Sequence, residues 1–256
     1  MKKSKFKIVI IGTGLLGESI SERLLKENFN LSVWNRTKTK YKKLLKKGAK
    51  EIKVLSNLDK KINTIILVLK DGEITSSVIN KIGCLKNKSV IQMGTIGSKE
   101  SKRINQLVKD KNGSYLEAPV LGSVSESLNG NLLFMIGGNK KNFNKNKKIF
   151  DALSKNYVLF ENVEKASATK LALNYQIAYL TFNFSLTIRY LLAKGINLDL
   201  FMKLFRKSAL YAPHFDKKLK RIRNKDYKNG NFNIENLSKD INLFTDEIQN
   251  IKIKKK

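Results

Sequence analysis

Two periods of apolar residues alternate along the first 160 positions of the chain. Ile8–Ile11 is a short, unbroken, β-branched run, the pattern of a strand covered on both faces. Through Leu15–Lys26 the apolar positions Leu16, Ile20, Leu24 and Leu25 recur at helical spacing, and Leu31–Trp34 is extended again. The exchange continues with a basic helix over Lys40–Lys47 closed by Gly48, and a short strand at Glu51–Val54. A buried strand follows at Thr64–Leu69, then a turn at Asp71 and Gly72, a helix over Glu73–Ile82 and a strand at Ser89–Met93. Ser98 is placed to cap a helix over Lys99–Lys111, and Tyr115–Ala118 and Leu132–Ile136 complete the strands. Strands alternating with helices predict an α/β fold with a doubly wound parallel sheet.

The pattern changes after Val163. Ala166–Ala193 contains no Gly or Pro and predicts a helix roughly 40 Å long. That is long enough to cross a membrane, but Lys170, Asn174, Gln176, Asn183 and Arg189 interrupt its apolar surface. The better reading is a helix buried between a second domain and a partner subunit, hence a homo-oligomer. Gly195 ends it, and further helices are expected at Asp199–Ser208, Phe215–Arg223 and Ile234–Asn250, with a polar turn over Asn224–Asn233. Two domains are expected, a doubly wound domain over 1–163 and an all-α domain over 164–256.

The first chemistry lies between the first strand and the first helix. Gly12-Thr13-Gly14-Leu15-Leu16-Gly17 has G-x-G-x-x-G spacing. Gly12 suits a tight turn, Gly14 leaves room for a pyrophosphate, and Gly17 lets helix and strand approach closely. The helix N-terminus offers unpaired N–H groups to a phosphate. In this strand–turn–helix–strand setting the motif predicts a Rossmann dinucleotide site. At the end of the second strand, Asn35, Arg36 and Thr37 stand where NAD-binding chains carry an acid for the ribose 2′-hydroxyl. No carboxylate there repels a 2′-phosphate, and the Arg36 guanidinium and Thr37 hydroxyl can bind one, so NADPH is expected over NADH. The competing reading is that Arg36 is an ordinary surface arginine.

Composition narrows the partners. The formal net charge is +30, but the 51 Lys and Arg residues are spread along the chain, with a dense terminal run only at Lys252–Lys256. This reads as compositional bias rather than a specific nucleic-acid patch. Cys84 is the one cysteine and His214 the one histidine, which excludes an internal disulfide and a Cys/His metal site. His214 is expected to be structural or a pocket wall, not the base. The basic Met1–Lys7 leads into a strand rather than a leader, so a cytoplasmic protein without a membrane span is expected.

Four stretches then add up to a resemblance. Besides GTGLLG and NRT, there are Glu117-Ala118-Pro119-Val120-Leu121-Gly122-Ser123 with Gly130 and Gly137-Gly138, Lys170-x-x-x-Asn174, and Lys239-Asp240. In this order they resemble the β-hydroxyacid dehydrogenases, which include 3-hydroxyisobutyrate dehydrogenase, 6-phosphogluconate dehydrogenase and the NADPH-using glyoxylate/succinic semialdehyde reductases. The sequence VWNRTKTK looks most like the last branch. The resemblance implies reduction of a small aldehyde or keto acid, with Lys170 passing the proton and Asn174 orienting the substrate. It also implies substrate binding by the loop at Leu121, Gly122 and Ser123, a nicotinamide pocket lined by Thr95, and Lys239 between substrate and nicotinamide. Residues i and i+4 share a helix face, and a lysine in an apolar helix is costly unless used or paired. The chain departs from the family at Leu121, where a substrate-binding serine is usual. It departs also at Glu164 and Ala166, where glycines are usual, and in an expected shortening of the C-terminal end. These departures leave a second expectation, an NADP-binding family member that acts as a binding protein.

Overall fold

The computed structural model describes residues 6–226 and 233–251. The chain divides into two compact units, Met1–Leu171 with Asn242–Lys256, and Ala172–Ile241.

The first unit opens with β1 (Lys7–Ile11), α1 (Leu15–Lys26), β2 (Asn30–Trp34), α2 (Lys42–Lys46) and β3 (Lys50–Glu51). It continues with β4 (Thr64–Leu67), α3 (Gly72–Lys81), β5 (Ser89–Gln92), α4 (Ser98–Asp110) and β6 (Ser114–Glu117). Then come β7 (Val120–Leu121), α5 (Val124–Leu128), β8 (Leu133–Gly138), α6 (Lys140–Leu153) and β9 (Asn156–Phe160). The strand order is β3-β2-β1-β4-β5-β6-β8-β7, with β9 on the other side of β8. All pairs from β3 to β6 are parallel, while β8 runs antiparallel to β6 and β7. The doubly wound sheet is therefore parallel at its centre, with antiparallel pairing on the β8 side.

Strand periodicity builds two cores. Ile8 and Ile10 join Ile20, Leu24 and Phe150 on one face of the sheet, and Val9 and Ile11 join Val78, Ile79 and Ile104 on the other. Each strand thus feeds both helical layers, which is why β1 reads as unbroken apolar sequence.

Most expected elements are present with shifted ends. The helix expected over Lys40–Lys47 is a 3₁₀ turn at Lys38–Tyr41 followed by α2, and the strand expected at Glu51–Val54 is β3. The pattern gave no sign of α6. Its buried face carries Asn142 and Asn146 among the aromatics, and these amides bond Thr64, Ser89 and Ser114 at the strand starts. Polar residues at buried positions mute the helical apolar period.

The helix α7 (Val163–Ala193) starts in the first unit and continues into the second. Within the second unit, α8 (Leu198–Phe205) and α9 (Pro213–Arg223) pack around Phe184, Ile188, Met202, Phe215 and Leu219. The final helix, α10 (Ile234–Gln249), begins in the second unit and ends in the first. No described helix is long and apolar enough to cross a membrane. The turn expected over Asn224–Asn233 lies largely outside the described residues, as does the run Lys252–Lys256.

Candidate active site

In a parallel sheet the loops after β1, β4, β5 and β6 leave at one edge, where ligands of such folds bind. The loop after β1 is shaped by its glycines. Gly12 has φ +97°, and a Cβ there would lie 2.2 Å from the Val68 carbonyl oxygen. A Cβ at Gly17 would lie 2.0 Å from the Gly12 carbonyl oxygen. A Cβ at Gly14 would meet nothing within 4 Å, and no side chain caps α1 there. The turn is closed at two glycines and open at the third, the arrangement a pyrophosphate needs. Thr13 Oγ1 is buried with no hydrogen-bond partner among the described residues, a further polar group available to a ligand. Leu15, by contrast, is 62% exposed in the first turn of α1, and Leu16 is half-buried.

Asn35 holds the two cofactor segments together. Its Oδ1 accepts from Thr13 N at 3.1 Å, and its Nδ2 donates to the Thr37 carbonyl at 3.1 Å. Arg36 and Thr37 are exposed beside it. The residues of this edge fit a dinucleotide, and Arg36 puts an exposed positive charge at the end of the second strand.

The loop after β5 carries Thr95, half-buried. Gly97, not Ser98, is the N-cap of α4, and its N–H donates to Glu100 Oε2 at 2.9 Å. Ser98 instead donates from both N and Oγ to Glu247, at 2.6 and 2.8 Å. The Ser167 hydroxyl of α7 donates to the Ile96 carbonyl. Ser167 is three residues ahead of Lys170 on the same face of α7, so this bond sets the Lys170 turn beside the Thr95 loop. Lys170 is itself buried, at 7% exposure. Ala166, where the resemblance expected a glycine, packs against Gly137, which has no side chain to oppose it. Glu164, half-buried, lies 3.9 Å from the exposed Lys102.

The segment between β7 and α5 departs from expectation at Ser123. Its N–H and its hydroxyl both donate to Glu126 Oε2, at 2.9 and 2.5 Å. The hydroxyl expected for substrate is thus engaged by the chain's own carboxylate. Gly122 is exposed and Leu121 half-buried in β7. The pattern Ser-x-x-Glu before a helix is a capping box, so this pairing was readable from the sequence.

Two further expected residues, Asn174 and Lys239, lie in the second unit and meet at Asp240. Asn174 Nδ2 donates to Asp240 Oδ2 at 2.6 Å, and Lys239 Nζ lies 2.7 Å from Asp240 Oδ1. Asp240 is buried, at 1% exposure. His214 bonds Thr181 at 2.8 Å, and burial lowers its pKa. Among the described residues no three His, Cys, Asp or Glu side chains gather to hold a metal.

Beneath the site, Glu117 at the end of β6 accepts from Ser101 and Tyr115, both at 2.6 Å. Burial pushes its pKa from 4.5 to about 8, against the opposing effect of those two bonds. The folded chain therefore keeps a proton that the unfolded chain releases above pH 4.5. This group favours folding most at the acid end, and its contribution falls as pH rises to about 8. Glu117→Gln keeps an acceptor and removes that titration. Urea melts should show the variant gaining on the parent chain between pH 5 and pH 8, and a constant difference would contradict the assignment.

Residues 7–161 match the NAD binding domain of 6-phosphogluconate dehydrogenase. Glyoxylate/succinic semialdehyde reductase 1 of Arabidopsis thaliana is 28% identical over 82% of this chain and 74% of its own length. The chloroplastic reductase 2 of the same plant is 26% identical over 82% of this chain, which spans only 60% of that relative. The structure of 3-hydroxyisobutyrate dehydrogenase from Salmonella typhimurium superposes with a TM-score of 0.84 at 18% identity, covering 95% of this chain and 87% of that one. By its dinucleotide domain, helical C-terminal region and relatives, the chain belongs to the β-hydroxyacid dehydrogenase family of oxidoreductases acting on CH–OH groups.

Proposed function

We propose that the chain is an NADPH-dependent reductase of a small aldehyde or keto acid, reversible as a hydroxyacid dehydrogenase. The observation that carries this reading is a buried Lys170 tied through Ser167 to the loop after β5, at the edge that also holds an open dinucleotide turn. Gly12, Thr13, Gly14, Leu15, Leu16 and Gly17 hold the pyrophosphate, and Asn35 keeps that turn in register with Arg36 and Thr37. Thr95 would border the nicotinamide. A nicotinamide held there would supply the hydride for the carbonyl carbon of the substrate. Lys170 donates a hydrogen bond to the carbonyl oxygen and passes it the proton that completes the alcohol. Leu121, Gly122 and Ser123 bound the far end of the substrate, and Asn174, held by Asp240, and Lys239 keep the substrate-binding roles that the resemblance implies for them.

The cofactor preference rests on Arg36. Its guanidinium pairs with a 2′-phosphate and gains nothing from a 2′-hydroxyl. Arg36→Ala should weaken NADPH roughly tenfold and leave NADH nearly unchanged, as read by fluorescence titration of both. An unchanged ratio of the two affinities would contradict NADPH selection.

A homo-oligomer is part of the same reading. Phe182 and Tyr190 on α7 are 60% and 61% exposed, with Leu186 between them at 48%. An apolar stripe of this kind favours a second copy as its cover. The reading as a whole is tested by NADPH consumption with a panel of small aldehydes and keto acids.

A further inference from the structure

Two buried side-chain oxygens at the ends of β5 and β6, Gln92 Oε1 and Glu117 Oε1, have no hydrogen-bond partner among the described residues. Gln92 and Glu117 close their strands, pair across the parallel ladder and are both wholly buried. Residues paired in this way project to the same face of a sheet, so both side chains enter one layer. Their other polar atoms are engaged. Glu117 Oε2 accepts from Ser101 and Tyr115, both at 2.6 Å, and Gln92 Nε2 donates to the Gly94 carbonyl at 3.4 Å. Turning the amide over would set Gln92 Oε1 against that carbonyl, acceptor against acceptor. We infer that Glu117 is a positioning residue: as a neutral acid it donates from Oε1 to Gln92 Oε1, and Gln92 carries the restraint to Gly94, next to Thr95 in the loop after β5. Its bearing on the nicotinamide rests on the reductase reading; the shared proton does not.

A single proton satisfies both oxygens. In a neutral acid the carbonyl oxygen has two lone pairs, and Ser101 and Tyr115 fill both on Oε2, which leaves Oε1 as the O–H donor. An ionised Glu117 would instead bury a charge beside an acceptor, at high cost. The surroundings favour the neutral form. Burial is the main cause, and the charge of Glu100 on α4 acts in the same direction. Tyr115 is the titratable neighbour on the same strand, while Gln92 on β5 and Gly137, the partner of Glu117 on β8, carry no charge. Over Gly137 lie Val163 and Ala166 of α7, both apolar. Above about pH 8 the proton leaves Glu117, the two oxygens repel, and the hold on Gly94 weakens.

Infrared spectroscopy at pH 6, where ordinary carboxyls are ionised, tests the proton. The full chain should show a carboxylic-acid C=O band that is absent from Glu117→Gln. The band should be displaced in Gln92→Met, which removes the acceptor and fills similar space. No such band in the parent chain, or a band unmoved in Gln92→Met, would overturn the inference. Hydrogen exchange of residues 93–97, with no cofactor present, tests the hold on the loop. Gln at 117 copies the neutral acid at every pH, with an oxygen for Ser101 and Tyr115 and an N–H for Gln92. At pH 6.5 the parent chain and Glu117→Gln should exchange alike. At pH 9 the parent should exchange roughly threefold to tenfold faster in this segment, in excess of any change in β1. No excess at pH 9 would overturn the inference. NADPH titrated into both proteins links the loop to the cofactor. Between pH 6.5 and pH 9 the parent should lose affinity relative to Glu117→Gln by a similar factor. An unmoved NADPH ratio, with the band and the exchange as expected, would leave the positioning role standing and count against this loop as the nicotinamide pocket.

Discussion

Lys170→Ala should lower kcat for carbonyl reduction by roughly 10²- to 10⁴-fold, the range for loss of a positioned proton donor. NADPH affinity should change little, because Lys170 lies on α7 and the pyrophosphate turn at residues 12–17 stands on other elements. The bond from Ser167 to the Ile96 carbonyl should persist in the variant, since it lies one turn earlier. Lys170→Arg separates charge from proton transfer. A guanidinium can still donate a hydrogen bond to the carbonyl oxygen but does not give up its proton near neutral pH, so it should restore substrate binding and little turnover. Steady-state kinetics with fluorescence titration of NADPH measure both effects. Parent-like turnover in the alanine variant would remove Lys170 from the chemistry.

Gly17→Ala and Gly14→Ala should fail in opposite ways. At Gly17 the added methyl would sit 2.0 Å from the Gly12 carbonyl oxygen and 3.4 Å from Val68 Cβ. Backbone must move to admit it, and the expected cost is about 3 kcal/mol or more of stability, together with loss of the cofactor. At Gly14 nothing lies within 4 Å, so the same methyl should leave stability within about 1 kcal/mol. It would still fill the space left for the pyrophosphate, and NADPH affinity should drop sharply. Urea melts and NADPH titrations of the two variants separate packing from ligand space. A parent-like NADPH affinity in Gly14→Ala would show that the open space at the turn is not the phosphate site.

The contrast between those glycines also shows what was legible in the sequence. The strand–turn–helix order and the G-x-G-x-x-G spacing specify the turn, because few backbones satisfy both. The central strands were legible for a similar reason: Ile8–Ile11 and Ile65–Leu67 are apolar on both faces. The helix α6 was hidden because its inner face bonds strand ends through Asn142 and Asn146 rather than burying aliphatic side chains alone. In the site, Lys170 and Asn174 could be picked out by their helical spacing together with the resemblance. Ser167, Glu126 and Glu247 could not be read so directly. Ser167 and Glu247 act on groups 71 and 149 residues away, and no local pattern marks such partners. Glu126 did leave a local signal, the capping box, but that box looks the same at any helix start.

The central claim joins a dinucleotide turn to a proton-donating lysine. The most direct test is to follow NADPH absorbance and alcohol formation together, for the parent chain and Lys170→Ala, across small aldehydes and keto acids. One alcohol formed per NADPH consumed by the parent chain, and neither by the variant, is the predicted result. NADPH bound by the parent chain but not consumed with any carbonyl substrate, or consumed equally by Lys170→Ala, would contradict the account.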